Sequence, residues 1–272
     1  MSIRSSGATL WANLYAIYCR ELQQYFGAPL AYGVAGIFWL LGGFFFFTVL
    51  LAPGGLISAI AAQDQAGGGG QSIDVAYEFL KLYLGLLGSL SMFILPILSM
   101  GLYAEERKQG TLELLATSPV TNWVVALGKL LAILSLYVAI VLPLMLLEAI
   151  ALSAADPPIQ PGVLLLGHLG LVLMAASILS LGMFLSSLTS STVLAAIMTF
   201  ALMLVLWVMD VIAQAVGGTL GDALGHLSVL RHFSTLAEGI FDTSGLVMFL
   251  SYIGLGIFLT AQSIETLRFQ RS

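Results

Sequence analysis

The sequence predicts an all-α, polytopic membrane protein with six transmembrane helices, and three observations carry that prediction. Of 272 residues, 59% are hydrophobic and only 8% charged, with a mean hydropathy of +1.02. A soluble domain carries about 25% charged residues, so this chain has too few charges to cover a water-facing surface. Second, the apolar residues come in blocks of about 20, the length needed to cross about 30 Å of hydrocarbon. Third, the charges gather between those blocks. Together these exclude a secreted disulfide scaffold, a nucleic-acid-binding domain and a conventional soluble enzyme. The net charge of −5 says little, because placement matters more than sum in such a chain. The single cysteine, Cys19, permits neither an internal disulfide nor a thiolate metal cage.

The first element is a helix lying on the membrane, over residues 8–26. Thr9, Asn13, Ala16, Arg20 and Gln23 alternate at spacings of four and three and form one weakly polar stripe. Leu10, Leu14, Ile17, Leu22 and Tyr25 fall mostly on the other side, and Trp11, Tyr15 and Tyr18 suit the headgroup zone. A loosely ordered tail is the plainer alternative. No cleavable signal peptide is expected, since Arg20 and Glu21 interrupt the opening residues and no small-residue cleavage site follows a compact apolar core.

Six spans follow, at roughly 30–52, 82–103, 126–150, 163–186, 191–213 and 246–267. Helices alone suit lipid here, because they satisfy their backbone hydrogen bonds internally. Orientation follows from lysine and arginine placement. With the N-terminus inside, Arg4, Arg20, Arg107, Lys108, Lys129, Arg268 and Arg271 lie at the inner side, and Lys81 and Arg231 lie outside. Asp64, Asp74, Glu78, Asp156, Asp222, Glu238 and Asp242 populate the opposite loops. Both termini are therefore expected in the cytoplasm.

The loops differ in kind. Residues 186–191, "SSLTSS", form an uncharged tight turn between spans four and five. The inner loop between spans two and three, residues 103–123, packs Glu105, Glu106, Arg107, Lys108 and Glu113 into nine positions. Gly110 breaks that run, Thr111 can cap a short helix carrying Leu112, Leu114 and Leu115, and Ser118-Pro119 ends it. The alternative is a solvated connector whose charges only fix topology. On the outer side, residues 53–81 carry Gly67, Gly68, Gly69 and Gly70, a flexible spacer without a phosphate-binding signature. Residues 214–245 hold two apolar pieces, 219–230 and 232–241, each too short to span. They suit a re-entrant or interfacial helical hairpin broken by Gly217, Gly218, Gly221 and Gly225.

Reactive constellations are scarce. The chain contains no HExxH, GxSxG or GxGD motif and no paired aspartates at prenyl-diphosphate spacing. Gly128-Lys129 sits in "LGKLL", but Leu130 replaces the Ser or Thr of a phosphate loop. His226 and His232, with Arg231 between them, make poor metal geometry without a nearby carboxylate or cysteine in sequence. His168, early in span four, reads as a hydrogen-bonded packing residue. Glu148 and Asp210, near the outer ends of spans three and five, either face a substrate path or sit where solvent reaches them. Ser180, Gly182, Ser186, Ala195 and Thr199 suit close helix packing.

The segment "YAEERKQGTLELLATSPVTNWVVALGKLLA", residues 103–132, resembles the signature of ABC-2 type transporter permeases, E-E-x-x-x-G-T-x-E-x-L-x-x-x-P after span two. The matching positions are Glu105, Glu106, Gly110, Thr111, Glu113, Leu115 and Pro119. Residues 232–270 resemble the C-terminal pattern of the branch that holds gliding-motility and nitrous-oxide-reductase-maturation permeases. There the shared positions are His232-Phe233, Gly239, Asp242, Phe249-Leu250, Glu265 and Arg268. The resemblance implies one ABC-2 type transmembrane domain over residues 1–272. Residues 1–29 are its interfacial helix, 30–267 its six spans and 268–272 a cytoplasmic tail. It further implies a bacterial plasma-membrane permease working as a homodimer or pseudo-dimer, with contacts near spans one and five. Each copy would dock a separate cytoplasmic ATPase that binds ATP-Mg, and this chain would bind no cofactor or metal. The short helix of the inner loop becomes a coupling helix, with Leu112, Leu114 and Leu115 filling the ATPase cleft. Glu105, Glu106, Arg107, Lys108 and Glu113 orient it. Export by alternating access is the expected activity, with the cargo unnamed. A membrane scaffold for a surface machine and an intramembrane enzyme are the competing readings.

Overall fold

The computed structural model describes residues 3–65, 74–111 and 121–269, and every regular element among them is an α-helix. In chain order these are α1 (Ile3–Gly27), α2 (Pro29–Leu51), α3 (Leu56–Gln65), α4 (Val75–Ser99), α5 (Gly101–Gln109) and α6 (Asn122–Ser153). Then come α7 (Pro161–Leu188), α8 (Thr192–Val216), α9 (Gly218–Gly225), α10 (Val229–Ala237) and α11 (Thr243–Phe269). The glycine run at 67–70 and the segment 112–120 fall outside the described residues, and with them Leu112, Glu113, Leu114, Leu115 and Pro119.

Six helices are long and apolar enough to cross a membrane: Pro29–Ala62, Val75–Gln109, Asn122–Ser153, Pro161–Leu188, Thr192–Val216 and Thr243–Thr266. The number matches the sequence expectation, but several helices run further. Span two starts at Val75 instead of 82 because Asp74 caps it, accepting the Tyr77 N–H at 3.0 Å, and Glu78 favours the positive helix start. Span three is 32 residues long, about 48 Å at 1.5 Å per residue, and so overshoots the hydrocarbon. Pro29 and Pro161 open α2 and α7 at the position where a missing N–H costs nothing. Ser191 and Ser228 cap α8 and α10 through the N–H groups of Leu194 and Arg231.

Span four, α7, is the hub. It packs against spans two, three, five and six, α5 and α10, and 61% of its apolar window is buried, against 17% for span five and 28% for span one. Lipid tails are as apolar as leucine, so close packing and interhelical hydrogen bonds hold such helices together. On α7 the Ser177 and Ser180 hydroxyls donate to the carbonyls of Phe249 and Tyr252 on span six, both at 3.2 Å. One turn further, a Cβ on Gly256 would stand 2.5 Å from the Ser180 carbonyl carbon. Only glycine permits that crossing. Facing span two, Gly182 rests against the Ser99 side chain.

The chain ends up polarised. Arg20, Arg107 and Lys129 gather at the end of the bundle that holds α5, and Lys81 and Arg231 lie at the opposite end, with α9 and α10. Of these two helices α9 lies along span five, while α10 packs among the spans: Phe233 rests on Gly88 of span two and Leu236 on Gly170 of span four. The Tyr252 hydroxyl donates to the Leu227 carbonyl, and the Tyr77 hydroxyl to that of Glu238. Gly217 and Gly218 turn the chain out of span five with φ of +62° and +63°, values that favour glycine.

Candidate functional site

α1 lays one face against the start of span three. Leu14, Ile17, Tyr18, Glu21 and Tyr25 recur at helical spacing on that face, while Trp11 and Tyr15 stay exposed. The side chains of Leu14 and Ile17 close over Gly128, and the hydroxyls of Tyr18 and Ser135 meet at 3.1 Å. This docking brings Glu21 onto Lys129. Both are almost fully buried, at 3% exposure, with Nζ–Oε2 at 3.0 Å.

The second partner of Lys129 comes from α5. Glu106 Oε1 lies 2.9 Å from Lys129 Nζ and 3.6 Å from Arg20, which also reaches Glu21 at 3.5 Å. Tyr25 donates to Glu21 Oε2 at 3.3 Å, and the ammonium sits 5.2 Å from the Tyr103 ring centroid. Burial, and then the neighbouring Glu21 carboxylate, push the Tyr25 phenol well above its ordinary value, so it remains a donor near neutrality. Two carboxylates and two cations thus join α1, α5 and span three at one point. A buried charge is tolerated only when paired in this way.

α5 is also fastened to the end of span four. The Ser186 hydroxyl donates to the Met100 carbonyl at 2.8 Å and accepts the amides of Tyr103 and Ala104 at 3.1 and 3.0 Å. It uses its one proton and both lone pairs, and it stands inside the helical ladder where α4 passes into α5. An inserted hydroxyl of this kind redirects a helix. Arg107 Nη1 donates to the Ser187 carbonyl at 2.7 Å. Gly110 then ends α5 with φ +72°, its N–H returning to the carbonyls of Glu106 and Arg107.

Among the predicted inner-loop residues, Glu106 and Arg107 therefore make their contacts within this chain. Glu105, Lys108 and Thr111 are exposed, with Thr111 bonded through N and Oγ1 to the Glu106 carbonyl at 3.0 and 3.3 Å. A cavity of about 180 Å³ opens beside the junction, lined by Glu21, Tyr25, Glu105, Glu106, Gln109 and Lys129 among others. Glu21 was not singled out in the sequence, although it continues the 14–17–18 face of α1. Lys129 entered as an inner-interface charge and, with Gly128, as the opening of span three in the family-like segment, yet a lysine seven residues inside a spanning helix needs a carboxylate partner.

At the opposite end, Glu148 and Asp210 part company. Glu148 is fully buried between spans three and four, its Oε1 3.4 Å from His168 Nε2, and His168 Nδ1 is bonded to the Leu164 carbonyl at 3.0 Å. Asp210 accepts Gln214 Nε2 at 3.0 Å and lines an open cleft beside α9 and α10. His232 is buried, with Nε2 3.1 Å from the His226 carbonyl and Nδ1 3.7 Å from Asp242. His226 is exposed and stacks beside it, ring centroids 6.0 Å apart. Among the described residues no three His, Cys, Asp or Glu side chains gather where a metal would sit. Arg231 is exposed over Gly225.

Six apolar helices among the described residues, one of them a buried hub, with charges held at the two ends, define a multi-pass membrane protein. The sequence model of the ABC-2 family transporter proteins matches residues 71–221, which covers spans two to five, α5 and Lys129. The match takes in more than half of the chain, and the chain belongs to the ABC-2 transporter family as a membrane permease component. Among curated proteins no sequence matches it.

Proposed function

We propose that this chain is the transmembrane subunit of an ATP-driven exporter in a bacterial plasma membrane, paired with a second permease copy and driven by a separate cytoplasmic ABC ATPase. The observation that carries the proposal is the Glu21–Lys129–Glu106 junction. It ties the helix leading into the predicted coupling segment to the base of span three and to α1. Force applied at residues 111–119 by an ATPase would thus reach two further elements through rigid, paired contacts instead of dissipating in a loop. Glu105 and Lys108 point outward and are free to meet the ATPase, while Leu112, Leu114 and Leu115 fill its cleft. Concerted closure of two ATPases would rock the bundles about spans one and five, whose large exposed apolar faces suit burial against a partner copy. In this orientation the α5 end and both termini are cytoplasmic, and the α9–α10 hairpin dips in from the outer side. ATP-Mg belongs to the partner chain.

The test is co-purification with the cognate ATPase. Leu114→Arg should cut recovery of the ATPase at least tenfold, and Glu105→Ala with Lys108→Ala should weaken it severalfold. Recovery at wild-type yield from both variants would overturn the docking assignment.

A further inference from the structure

The cleft beside α9 and α10 is a second site, distinct from the junction, with a chemistry of its own. Its volume is about 730 Å³, and spans two and five, α9 and α10 enclose it. Lys81 and Arg231, the two cations assigned to this end from the sequence, lie 150 residues apart in the chain and both line it. They share it with Asp210, Asp222 and Glu238.

These charges are not equally available. Lys81 and Glu238 neutralise each other at 2.9 Å, and the Glu238 carbonyl takes the Tyr77 hydroxyl. That pair ties the hairpin to span two and leaves Arg231, Asp210 and Asp222. The Arg231 backbone is fixed by the Ser228 cap and its guanidinium lies over Gly225, with no ion pair to a carboxylate among the described residues. Asp210 has only the Gln214 amide, and Asp222 is exposed with no cation beside it among the described residues. One held cation therefore faces two carboxylates across a cleft. The residual charge is negative, which disfavours a purely anionic ligand, while an uncompensated guanidinium disfavours a purely cationic one. A ligand carrying both signs satisfies the set.

Position supplies the rest. Lys81 stands one residue before the apolar run that opens at 82, and Asp210 and Gln214 stand where the apolar run of span five closes. The cleft thus sits where a bilayer passes from acyl chain to headgroup. Its wall includes Leu82, Leu230 and Phe233.

We infer that this cleft binds a zwitterionic phospholipid of the ethanolamine type. The phosphate is held by Arg231, the primary ammonium by Asp210 and Asp222, and one acyl chain runs along Leu82 and Leu230 out to the bilayer. A primary ammonium brings three N–H donors to two carboxylates, which a quaternary headgroup lacks. The inference goes beyond the transport reading and needs only that the chain sits in a bilayer, so a failure of either leaves the other standing.

The experiment titrates the purified, delipidated full chain with dihexanoyl phosphatidylethanolamine and counts bound lipid by native mass spectrometry. One lipid per chain should bind saturably. Arg231→Gln, and separately Asp210→Asn with Asp222→Asn, should each weaken it at least tenfold, while Arg231→Lys, which keeps a point charge but loses the planar fork, should fall between Arg231→Gln and the wild type. Lys108→Ala, at the other end, should bind as the wild type does. The phosphatidylcholine and phosphatidylglycerol analogues should bind at least tenfold more weakly to the wild type. Undiminished binding by a folded Arg231→Gln chain overturns the proposal, as does equal binding of phosphatidylglycerol. Free phosphoethanolamine competing as well as the lipid would identify a soluble ligand, and decylammonium binding wild type and Arg231→Gln alike would identify a cation site. Either result overturns the lipid assignment. Should Arg231→Gln fail to fold, Asp222→Asn, at an exposed position, carries the same decision.

Discussion

Lys129 shows what one misplaced proton carrier would do to this fold. It stands 3% exposed between two carboxylates, so the cost of taking it from water is offset only by its pairing with Glu21 and Glu106. Lys129→Met should therefore destabilise the protein by about 3–5 kcal/mol, because it leaves the buried Glu21 and the partly buried Glu106 with only the exposed Arg20 guanidinium, at 3.5 and 3.6 Å, as a cationic partner. Adding Glu21→Gln and Glu106→Gln should recover more than half of that loss, as measured by apparent melting temperature in detergent. A Lys129→Met chain as stable as the wild type would show that water, not lysine, satisfies these groups. At this scale the sequence was partly readable. The cluster at 105–108 announced itself by density of charge. Glu21 and Lys129 did not, since Glu21 stands beside the opposite charge of Arg20 and Lys129 alone in an apolar run, and their pairing depends on α1 lying against span three. Glu148 and His168, 20 residues apart in sequence, illustrate the same point: neither residue alone names the other.

Helices meet at glycine and serine in this bundle. Span six crosses span four where Gly256 faces the Ser180 backbone, flanked by two serine-to-carbonyl hydrogen bonds. Gly256→Ala forces a methyl group into backbone that cannot retreat like a flexible side chain, and should cost about 1–3 kcal/mol. Gly254→Ala, on the same helix with open space around it, should be neutral or slightly stabilising through helix propensity. Equal melting temperatures for the two variants would contradict the crossing. Elements were the most legible level in the sequence, because a span is written in its own composition. What hydropathy omits is the part of each helix that leaves the lipid. The start of span two at Val75 rests on the Asp74 cap, and α5 continues to Gln109 through residues that are charged instead of apolar. Between spans five and six the two short apolar pieces became two short helices, Gly218–Gly225 and Val229–Ala237, and Gly217 and Gly218 fall at the turn from span five.

The whole molecule has two chemically different ends. One gathers cations into a buried junction and presents Glu105 and Lys108. The other carries the hairpin, the Lys81–Glu238 tie and the mixed-charge cleft. Assigning the first to the cytoplasm gives a direct labelling outcome. In a Cys19→Ser background, Asp222→Cys should react with a membrane-impermeant maleimide on intact spheroplasts, and Lys108→Cys only after permeabilisation. The reverse pattern would invert the orientation and remove the ATPase from the α5 end. Span five, with 17% of its window buried, and span one, with 28%, leave apolar surface that lipid or a second copy must cover. The family match over residues 71–221 takes in spans two to five, and the junction reaches outside it to α1, through Glu21.

The central claim is that α5 and span three move as one body because the junction joins them. Spin labels at Lys108→Cys and Thr121→Cys, both exposed positions, in the Cys19→Ser chain assembled with its ATPase, measure this by pulsed dipolar spectroscopy. With the junction intact, the distance distribution should be the same with and without trapped ATP, while in Lys129→Met it should broaden or shift. A shift on ATP trapping in the intact chain would mean that α5 slides past span three, and the junction would not be the element that carries the motion.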